Sequence, residues 1–279
     1  VALHIQSGWL VDGLKVEIQD LRAGYSDKRD VLQDVTLTIP RRCKVGLVGA
    51  TGSGKSTLLL CLLRILEPRS GRVLMEGMET KRLGLRTLRA AIGMVPQDHV
   101  LLQGPLRYNI DPFNHYDDEH VWEALRLVQL ADYVHGCEGG LQFQVTAEGA
   151  NLSYGQRQLM SLARNVLRQP MLLLLDEATS AIDPHTQELV QSTVKTAFPD
   201  STMMVVAHRL ETVLGLDMVA VMDEGRIIEK GPVRALSRFR GGRFAEMLAA
   251  RERDLAEPWT AAAVAATAAA SVPTATTES

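Results

Sequence analysis

The residues best suited by type and spacing to do chemistry begin with a glycine-rich stretch at positions 49–57. It reads Gly-Ala-Thr-Gly-Ser-Gly-Lys-Ser-Thr and fits the phosphate-binding pattern Gly-x-x-x-x-Gly-Lys-Ser/Thr. Gly52 and Gly54 have no side chain, so backbone N–H groups can curl around the oxygens of an anion. Lys55 can reach the β- and γ-phosphates of a nucleotide, and the Ser56 hydroxyl can bind Mg²⁺. The stretch therefore predicts a triphosphate site.

The sequence on either side supplies the elements that this loop needs. Residues 45–48 are apolar, as in a buried strand, and residues 58–66 favour a helix. A strand, a glycine loop and a helix in this order are what the pattern requires, and the helix N-terminus would point at the same anion. A chance glycine-rich turn is the alternative, which the two flanking elements disfavour.

Two acidic residues form the second candidate group. Asp176 and Glu177 follow the apolar run 172–175. In α/β nucleotide hydrolases, a carboxylate ends a buried parallel strand, which we expect beside the loop strand, and Asp176 would orient Mg²⁺ there. Glu177 would accept a proton from the attacking water. A pair that merely caps a strand is the alternative, and the upstream phosphate loop favours the catalytic interpretation.

The composition limits the class of protein. The chain has 279 residues, of which 46% are hydrophobic and 23% charged, with a net charge of −3, so nothing indicates nucleic-acid binding. The apolar runs are far shorter than the ~20 residues that cross a bilayer, and no signal peptide is visible. The three cysteines form no C-x-x-C, so a reducing, cytosolic setting is expected. Because the first residue is Val1, we expect a piece of something longer, or a processed chain.

Patterns along the chain predict the elements that position these groups. Alternation of apolar and polar residues predicts strands at 15–21 and 31–39, in a small antiparallel β-element beside the loop strand. A mostly helical insertion is predicted over 105–147, and a helix over 153–168 with Ser153 as its N-cap. Further predicted elements are strands at 72–76, 171–175, 202–206, 218–222 and 226–229, a turn at 223–225, and helices at 184–198 and 233–255. The fold class is therefore α/β.

A third motif narrows the class. Residues 152–164 read Leu-Ser-Tyr-Gly-Gln-Arg-Gln-Leu-Met-Ser-Leu-Ala-Arg and resemble the signature sequence of ABC-type ATPases. The phosphate loop, Gln97, the signature, the Asp-Glu pair and His208 follow one another as in an ABC nucleotide-binding domain. Residues 109–114 and 148–157 are similar, in more detail, to the second nucleotide-binding domain of the C subfamily. That subfamily contains multidrug-resistance-associated exporters and sulfonylurea receptors.

The resemblance implies a domain organisation. It implies a P-loop NTPase core of the ABC ATPase type, with an antiparallel β-subdomain and a helical subdomain at about 100–168. The nucleotide-binding domain would span 14–255, after a linker at 1–13. Residues 256–279 are rich in Ala and Thr and have little to bury, so we expect a disordered tail.

The resemblance also implies roles for single residues. Tyr25 resembles the aromatic residue that stacks on adenine, with an ordinary loop tyrosine as the alternative. Gln97 resembles the residue that contacts Mg²⁺ and the attacking water, and His208 the histidine that touches the γ-phosphate. A polar turn residue and a packed helix cap are the respective alternatives. Residues 180–183 resemble the loop that communicates across a dimer interface, and they could also cap the following helix.

The implied sites fall into three sets. The catalytic residues are Glu177, His208, Lys55 and Gln97, and the metal ligands are Ser56, Gln97 and Asp176. The nucleotide contacts are Tyr25, Gly49, Thr51, Gly52, Ser53, Gly54, Lys55, Ser56, Thr57, Ser153, Gly155 and Gln156.

The signature implies a partner. In this family, Ser153 and the Gly155 backbone would bind the γ-phosphate held by the phosphate loop of an opposite domain, so that two domains enclose two ATP molecules head to tail. The commoner signature has glycine where Tyr154 stands, which puts affinity at the partner's site in question. Because Glu177 is present, we expect the site built on Lys55 to be the hydrolytically competent one.

The predicted function is that of an ATPase domain with ATP and Mg²⁺ as cofactors. It would drive export of an organic anion, conjugate or drug, on the cytosolic face of an integral membrane transporter. Its partners would be a second nucleotide-binding domain and the transmembrane domains, with no nucleic acid. A nucleotide-sensing regulatory domain of a channel-associated ABC protein is the alternative. A soluble ABC ATPase of DNA repair or translation ranks lower for two reasons. The sequence has no heptad run, and it contains the element at 111–114, which such ATPases would lack.

Overall fold

A computed structural model describes residues 13–26, 29–176, 184–207 and 209–256. Within them the strands are β1 (Val16–Ala23), β2 (Leu32–Ile39), β3 (Lys44–Gly49), β4 (Ser70–Met75), β5 (Met78–Glu79), β6 (Ile92–Val95), β7 (Gly104–Pro105), β8 (Gln144–Val145), β9 (Leu172–Asp176), β10 (Thr202–Val206), β11 (Met218–Asp223) and β12 (Arg226–Pro232). The helices are α1 (Lys55–Leu62), α2 (Leu85–Ala91), α3 (Leu106–Ile110), α4 (Asp118–Leu127), α5 (Ala131–Gly136), α6 (Tyr154–Arg168), α7 (Pro184–Ala197), α8 (Leu210–Leu214), α9 (Val233–Leu236) and α10 (Arg243–Ala256). In this part of the chain, no helix is both long and apolar enough to span a membrane.

The predicted antiparallel β-element is confirmed as a four-stranded sheet in the order β2-β1-β4-β5. Residues of β1 alternate between buried and more exposed positions, which is the pattern of a sheet with one covered face. The register of β1 against β2 shifts near Leu21, and that against β4 shifts after Gln19. These bulges bend the sheet next to the loop that carries Tyr25.

The second sheet carries the predicted chemistry. It has six strands in the order β12-β11-β3-β10-β9-β6, and β12 is its antiparallel edge strand. Leu172 and Leu174 of β9 belong to one hydrophobic core, whereas Leu173 and Leu175 belong to another. Both faces of the sheet are therefore covered, which explains the unbroken apolar run of this strand.

One prediction about this sheet is wrong. The strand that ends in Asp176 does not lie beside the loop strand, because β10 pairs in parallel with both β3 and β9. Asp176 therefore stands two strand spacings, about 10 Å, from the strand that leads into the phosphate loop. The crossover connections set this order, and the apolar pattern of a strand contains no information about its neighbour.

A helical region follows β6 and returns to the sheet at β9. Among the described residues it contains α3 to α6 and the short β7–β8 ribbon, which pairs Gly104 with Val145. The helix predicted at 153–168 is confirmed as α6, and α4 lies within the helical insertion predicted over 105–147. They share one core, in which Val121, Leu125 and Leu159 are buried. The ribbon was not predicted, because strands of two residues are too short for a periodic signal.

The C-terminal end of the described chain differs from prediction. We expected one helix over 233–255, but α9 and α10 are separated by residues 237–242. Gly241 has a φ of +84°, a left-handed conformation that interrupts a helix. Of the described residues, 234–256 belong to a second compact unit.

Candidate nucleotide-binding site

The loop between β3 and α1 has backbone conformations at two positions that glycine adopts more easily than other residues. Gly49 has a φ of +154°, and a Cβ atom there would lie 2.1 Å from the carbonyl oxygen of Met222. Gly54 has a φ of +104° and is the N-cap of α1. Both conformations are costly for residues with a Cβ. The glycines of the sequence pattern therefore shape the loop by steric necessity.

The N-terminus of α1 is open to an anion. No side chain caps it, and its first turn contains no acidic residue. The first N–H groups of a helix have no partner within the helix, and the helix dipole adds positive potential at that end. Amides of Lys55 and Ser56 thus offer donors to a phosphate group.

Lys55 is folded onto its own loop. Its ammonium Nζ donates to the carbonyl oxygens of Gly49 at 2.9 Å and Ala50 at 2.8 Å, with a longer contact of 3.5 Å to Ser53 Oγ. Burial lowers the pKa of Lys55, and attraction to Asp176 partly opposes that shift. Two good hydrogen bonds leave the third N–H able to turn toward a phosphate oxygen.

One cavity collects most of the predicted nucleotide contacts. Its volume is about 330 Å³, and it is open to solvent. Its walls come from the loop before β2, the phosphate loop, the start of α1 and the segment after β6. The residues that line it are Tyr25, Val31, Thr51, Gly52, Gly54, Lys55, Ser56, Thr57 and Gln97. Gly49 lines neither this cavity nor the neighbouring one, which Ser53 lines with Gly52 and Thr51.

Tyr25 stands at the rim of this cavity. Its side chain is 65% exposed, and its hydroxyl lies 3.2 Å from Oγ1 of Thr57. The hydrogen bond fixes one end of the ring to the first turn of α1, while most of the ring surface stays accessible. A ring held in this way can stack on a planar base. Thr57 therefore positions Tyr25, a role that no sequence pattern revealed.

The predicted metal ligands are divided between two cavities. Ser56 and Gln97 line the cavity that holds Lys55, whereas Asp176 lines another of about 500 Å³, together with residues of α6, α7 and β10. Hydroxyl, amide and carboxylate oxygens suit Mg²⁺, which keeps several waters and needs few protein ligands. Ser56 and Gln97 therefore fit that ion, whereas Asp176 is not among the residues that line their cavity. Among the described residues, no cluster of three or more His, Cys, Asp or Glu side chains could hold a metal.

The segment that carries Gln97 is bonded to the signature helix α6. The Tyr154 hydroxyl donates to the Gln97 carbonyl oxygen at 2.9 Å, and Arg164 Nη1 donates to that of Val100 at 3.1 Å. His99 packs edge-on against the Tyr154 ring, and burial lowers the pKa of this imidazole to about 4. Sequence patterns did not reveal these contacts, because they join residues far apart in the chain.

The start of α6 is a complete capping box. Ser153 Oγ accepts from the Gln156 amide at 3.2 Å, and Gln156 Oε1 accepts from the Ser153 amide at 2.8 Å. The predicted N-cap is thus confirmed, and the Gln156 side chain serves the cap. Ser153 is exposed, and Ser153, Gly155 and Gln156 are not among the residues that line the cavity of Lys55.

The predicted linker at 1–13 and the predicted tail at 256–279 lie almost wholly outside the described residues. Three predicted site elements also lie outside them: Glu177, His208 and the loop at 180–183. The strands that precede them are described. Val206 of β10 pairs with Leu47 of β3 on one side and with Asp176 on the other, in parallel register. The strands before Glu177 and His208 therefore end at the same edge of the sheet as the strand before the phosphate loop.

Comparison with known proteins places this geometry in a family. Residues 32–180 match the family model described as ABC transporter. The chain is 43% identical over 228 residues to ATP-binding cassette sub-family C member 2 of Rattus norvegicus, covering 81% of this chain and 15% of that protein. It is 40% identical over 249 residues to multidrug resistance protein mrp-7 of Caenorhabditis elegans, covering 88% and 16%.

A solved structure agrees. A bacterial Atm1-family ABC exporter with ATP bound matches with a TM-score of 0.81 and 33% identity, over 86% of this chain and 42% of that one. The chain spans about 15% of the length of the curated relatives it matches. The family model, the relatives and the shared fold agree with the motifs around Lys55. The chain therefore belongs to the ABC transporter family, and it resembles the ATP-binding domains of the C subfamily.

Proposed function

We propose that this domain binds Mg·ATP in the cavity around Lys55, hydrolyses it, and thereby drives export by a C-subfamily transporter. The observation that carries the proposal is the convergence of Tyr25, Lys55, Ser56 and Gln97 on one cavity. These residues come from three separate stretches of sequence, and each offers the chemistry that one part of the ligand needs. One relative is named a multidrug resistance protein, and the similar solved structure is titled an ABC exporter, which favours export over a regulatory nucleotide sensor.

In this proposal, different residues act on different parts of ATP. The Tyr25 ring stacks on the base, and the loop amides with Lys55 surround the β- and γ-phosphates. Mg²⁺, when bound, would neutralise charge on the phosphate oxygens, with Ser56 and Gln97 as candidate ligands. Glu177 accepts the proton of the attacking water as its oxygen bonds to the γ-phosphorus and the bond to the β-phosphate oxygen breaks. ADP and inorganic phosphate are the products.

The signature helix supports the proposal of a second domain. Its exposed N-terminus, with Ser153 and Gly155, offers helix amides to an anion but contributes nothing to the cavity of Lys55. The capping box fixes the Ser153 side chain in advance, so little entropy is lost on binding. We propose that this end of α6 completes the nucleotide site of an opposite nucleotide-binding domain, in a head-to-tail pair.

An apolar surface supports a second partner. Val100 and Leu102 follow Gln97 and are 64% and 49% exposed, and the rings of Tyr108 and Phe113 are 45% and 77% exposed. Asn109 of α3 joins the two segments, because its side chain bonds both the amide and the carbonyl of Leu102. We propose that a cytosolic segment of the transmembrane domains docks here, which would place the domain on the cytosolic face of the membrane.

One variant and one transport assay test the function in the full-length protein. Glu177→Gln should still bind Mg·ATP, yet turn it over at least ~10²-fold more slowly, because the proton acceptor is lost. Substrate-stimulated ATPase activity in lipid vesicles should accompany uptake of an organic anion by the wild type. Wild-type turnover in the variant would refute the role of Glu177. Stable co-purification with a channel subunit, without transport, would support the regulatory alternative instead.

A further inference from the structure

The residue at which the signature departs from its commoner form makes a specific contact. Tyr154 stands where glycine is more usual, and its ring is half-buried. Its hydroxyl donates to the Gln97 carbonyl oxygen at 2.9 Å. The ring meets that of His99 edge-on with centroids 5.3 Å apart, and the Arg157 guanidinium carbon lies 5.8 Å from its centre. A glycine could make none of these contacts.

Other residues of α6 hold the same segment on both sides of Gln97. Asn165 Nδ2 donates to the carbonyl oxygen of Met94 at 3.1 Å, and Arg164 Nη1 to that of Val100 at 3.1 Å. Within the described residues, the bond from Tyr154 is the hydrogen bond that reaches Gln97 itself. Tyr154 therefore fixes the middle of a segment whose ends are fixed independently.

The Gln97 backbone decides where its side chain can act. The side chain is exposed and lines the cavity next to Ser56, so packing does not hold it in place. Its direction depends on the conformation of residues 95–99, which follow the end of β6. A carbonyl held by Tyr154 limits rotation of the peptide unit that follows Gln97. The Gln97 side-chain amide then has fewer conformations to lose in the reaction.

We propose that Tyr154 is a positioning residue for ATP hydrolysis, fixing Gln97 beside the site of Lys55 through the hydrogen bond to its carbonyl oxygen. The proposal rests on the function proposed above, in which Gln97 contacts the metal and the attacking water. The same residue adjoins Ser153, which is offered to the opposite domain. Tyr154 thus couples the nucleotide site of its own domain to the part of the partner's site that this domain supplies.

The test removes the hydroxyl alone. Tyr154→Phe keeps the ring against His99, so the fold is retained. In the full-length protein in lipid vesicles, we expect its kcat for ATP to fall roughly two- to tenfold, the factor that one neutral hydrogen bond supplies. The Kd for Mg·ATP should stay within about twofold, because the phosphate loop and Tyr25 are untouched. Tyr116→Phe is the matched control, since the Tyr116 hydroxyl makes no hydrogen bond within the described residues.

A double-mutant cycle separates positioning from a general structural role. If Tyr154 acts through Gln97, then Tyr154→Phe should have no further effect on kcat in a Gln97→Ala background. Equal losses in both backgrounds, or wild-type kcat in Tyr154→Phe alone, would overturn the inference while leaving the proposed ATPase function intact. Should Gln97→Ala itself turn over ATP normally, the inference fails and so does the assigned role of Gln97. A failure of the proposed ATPase function would show separately, as a wild-type protein that does not turn over Mg·ATP.

Discussion

Lys55 offers the sharpest test of the nucleotide site. Lys55 is only 5% exposed, and its ammonium is held by two loop carbonyls. At about 4 Å and an effective dielectric constant of about 20, it would attract a phosphate charge by about 4 kcal/mol. Giving up part of its bonding to the loop carbonyls offsets about 1–2 kcal/mol of this. The net of about 2–3 kcal/mol predicts a roughly 30- to 150-fold higher Kd for Mg·ATP in Lys55→Ala.

The measurement is a calorimetric titration of the full-length protein with Mg·ATP. It is made in a Glu177→Gln background, which suppresses turnover. Lys81→Ala is the matched control, because it removes the same charge from an exposed lysine outside the cavity. We expect a Kd within about twofold of the parent for this control. Equal Kd values for Lys55→Ala and Lys81→Ala would refute the assignment of the phosphate loop.

Three further predictions concern affinity and stability. Tyr25→Ala should weaken Mg·ATP binding by roughly 5- to 100-fold, the range expected for one lost base–aromatic contact, and an unchanged Kd would contradict the stacking role. Gly49→Ala should lower the melting temperature by several degrees because of its 2.1 Å clash, whereas Gly136→Ala, with open space around its Cβ, should not. Burial alone would raise the pKa of Asp111, but amide hydrogen bonds and Arg107 outweigh it and hold that pKa below its ordinary value. Its contribution to stability should therefore be present above pH ~4 and be lost as the pH falls below that value, and Asp111→Asn should flatten this part of a pH-dependent unfolding curve.

Tyr154 departs from the commoner signature sequence, and its contacts in the structure give this departure a physical explanation. From the sequence, the bulky residue in the signature raised a question about affinity at the partner's site. In the structure, its hydroxyl bonds the Gln97 carbonyl, 57 positions away in the chain. The residue therefore makes a specific contact within its own domain, on which the proposed positioning role rests.

Several features followed from the sequence alone because their causes are local. The glycines of the phosphate loop have positive φ angles, which the local sterics of a Cβ atom disfavour in other residues. Ser153 and Gln156 cap a helix through bonds that span three residues. The apolar run before Asp176 could be read as a strand covered on both faces, as the two cores confirm.

Tertiary structure decided what depends on contacts between distant residues. Chain crossovers placed β10 between β3 and β9, so Asp176 is farther from the phosphate loop than its motif suggested. Only folding could bring Tyr25 to Thr57, or Tyr154 to Gln97, because a hydrogen bond between separate elements leaves no periodic trace in either. The sequence thus specified which groups could act on a triphosphate, and the packing of the two sheets and α6 determined which of them meet.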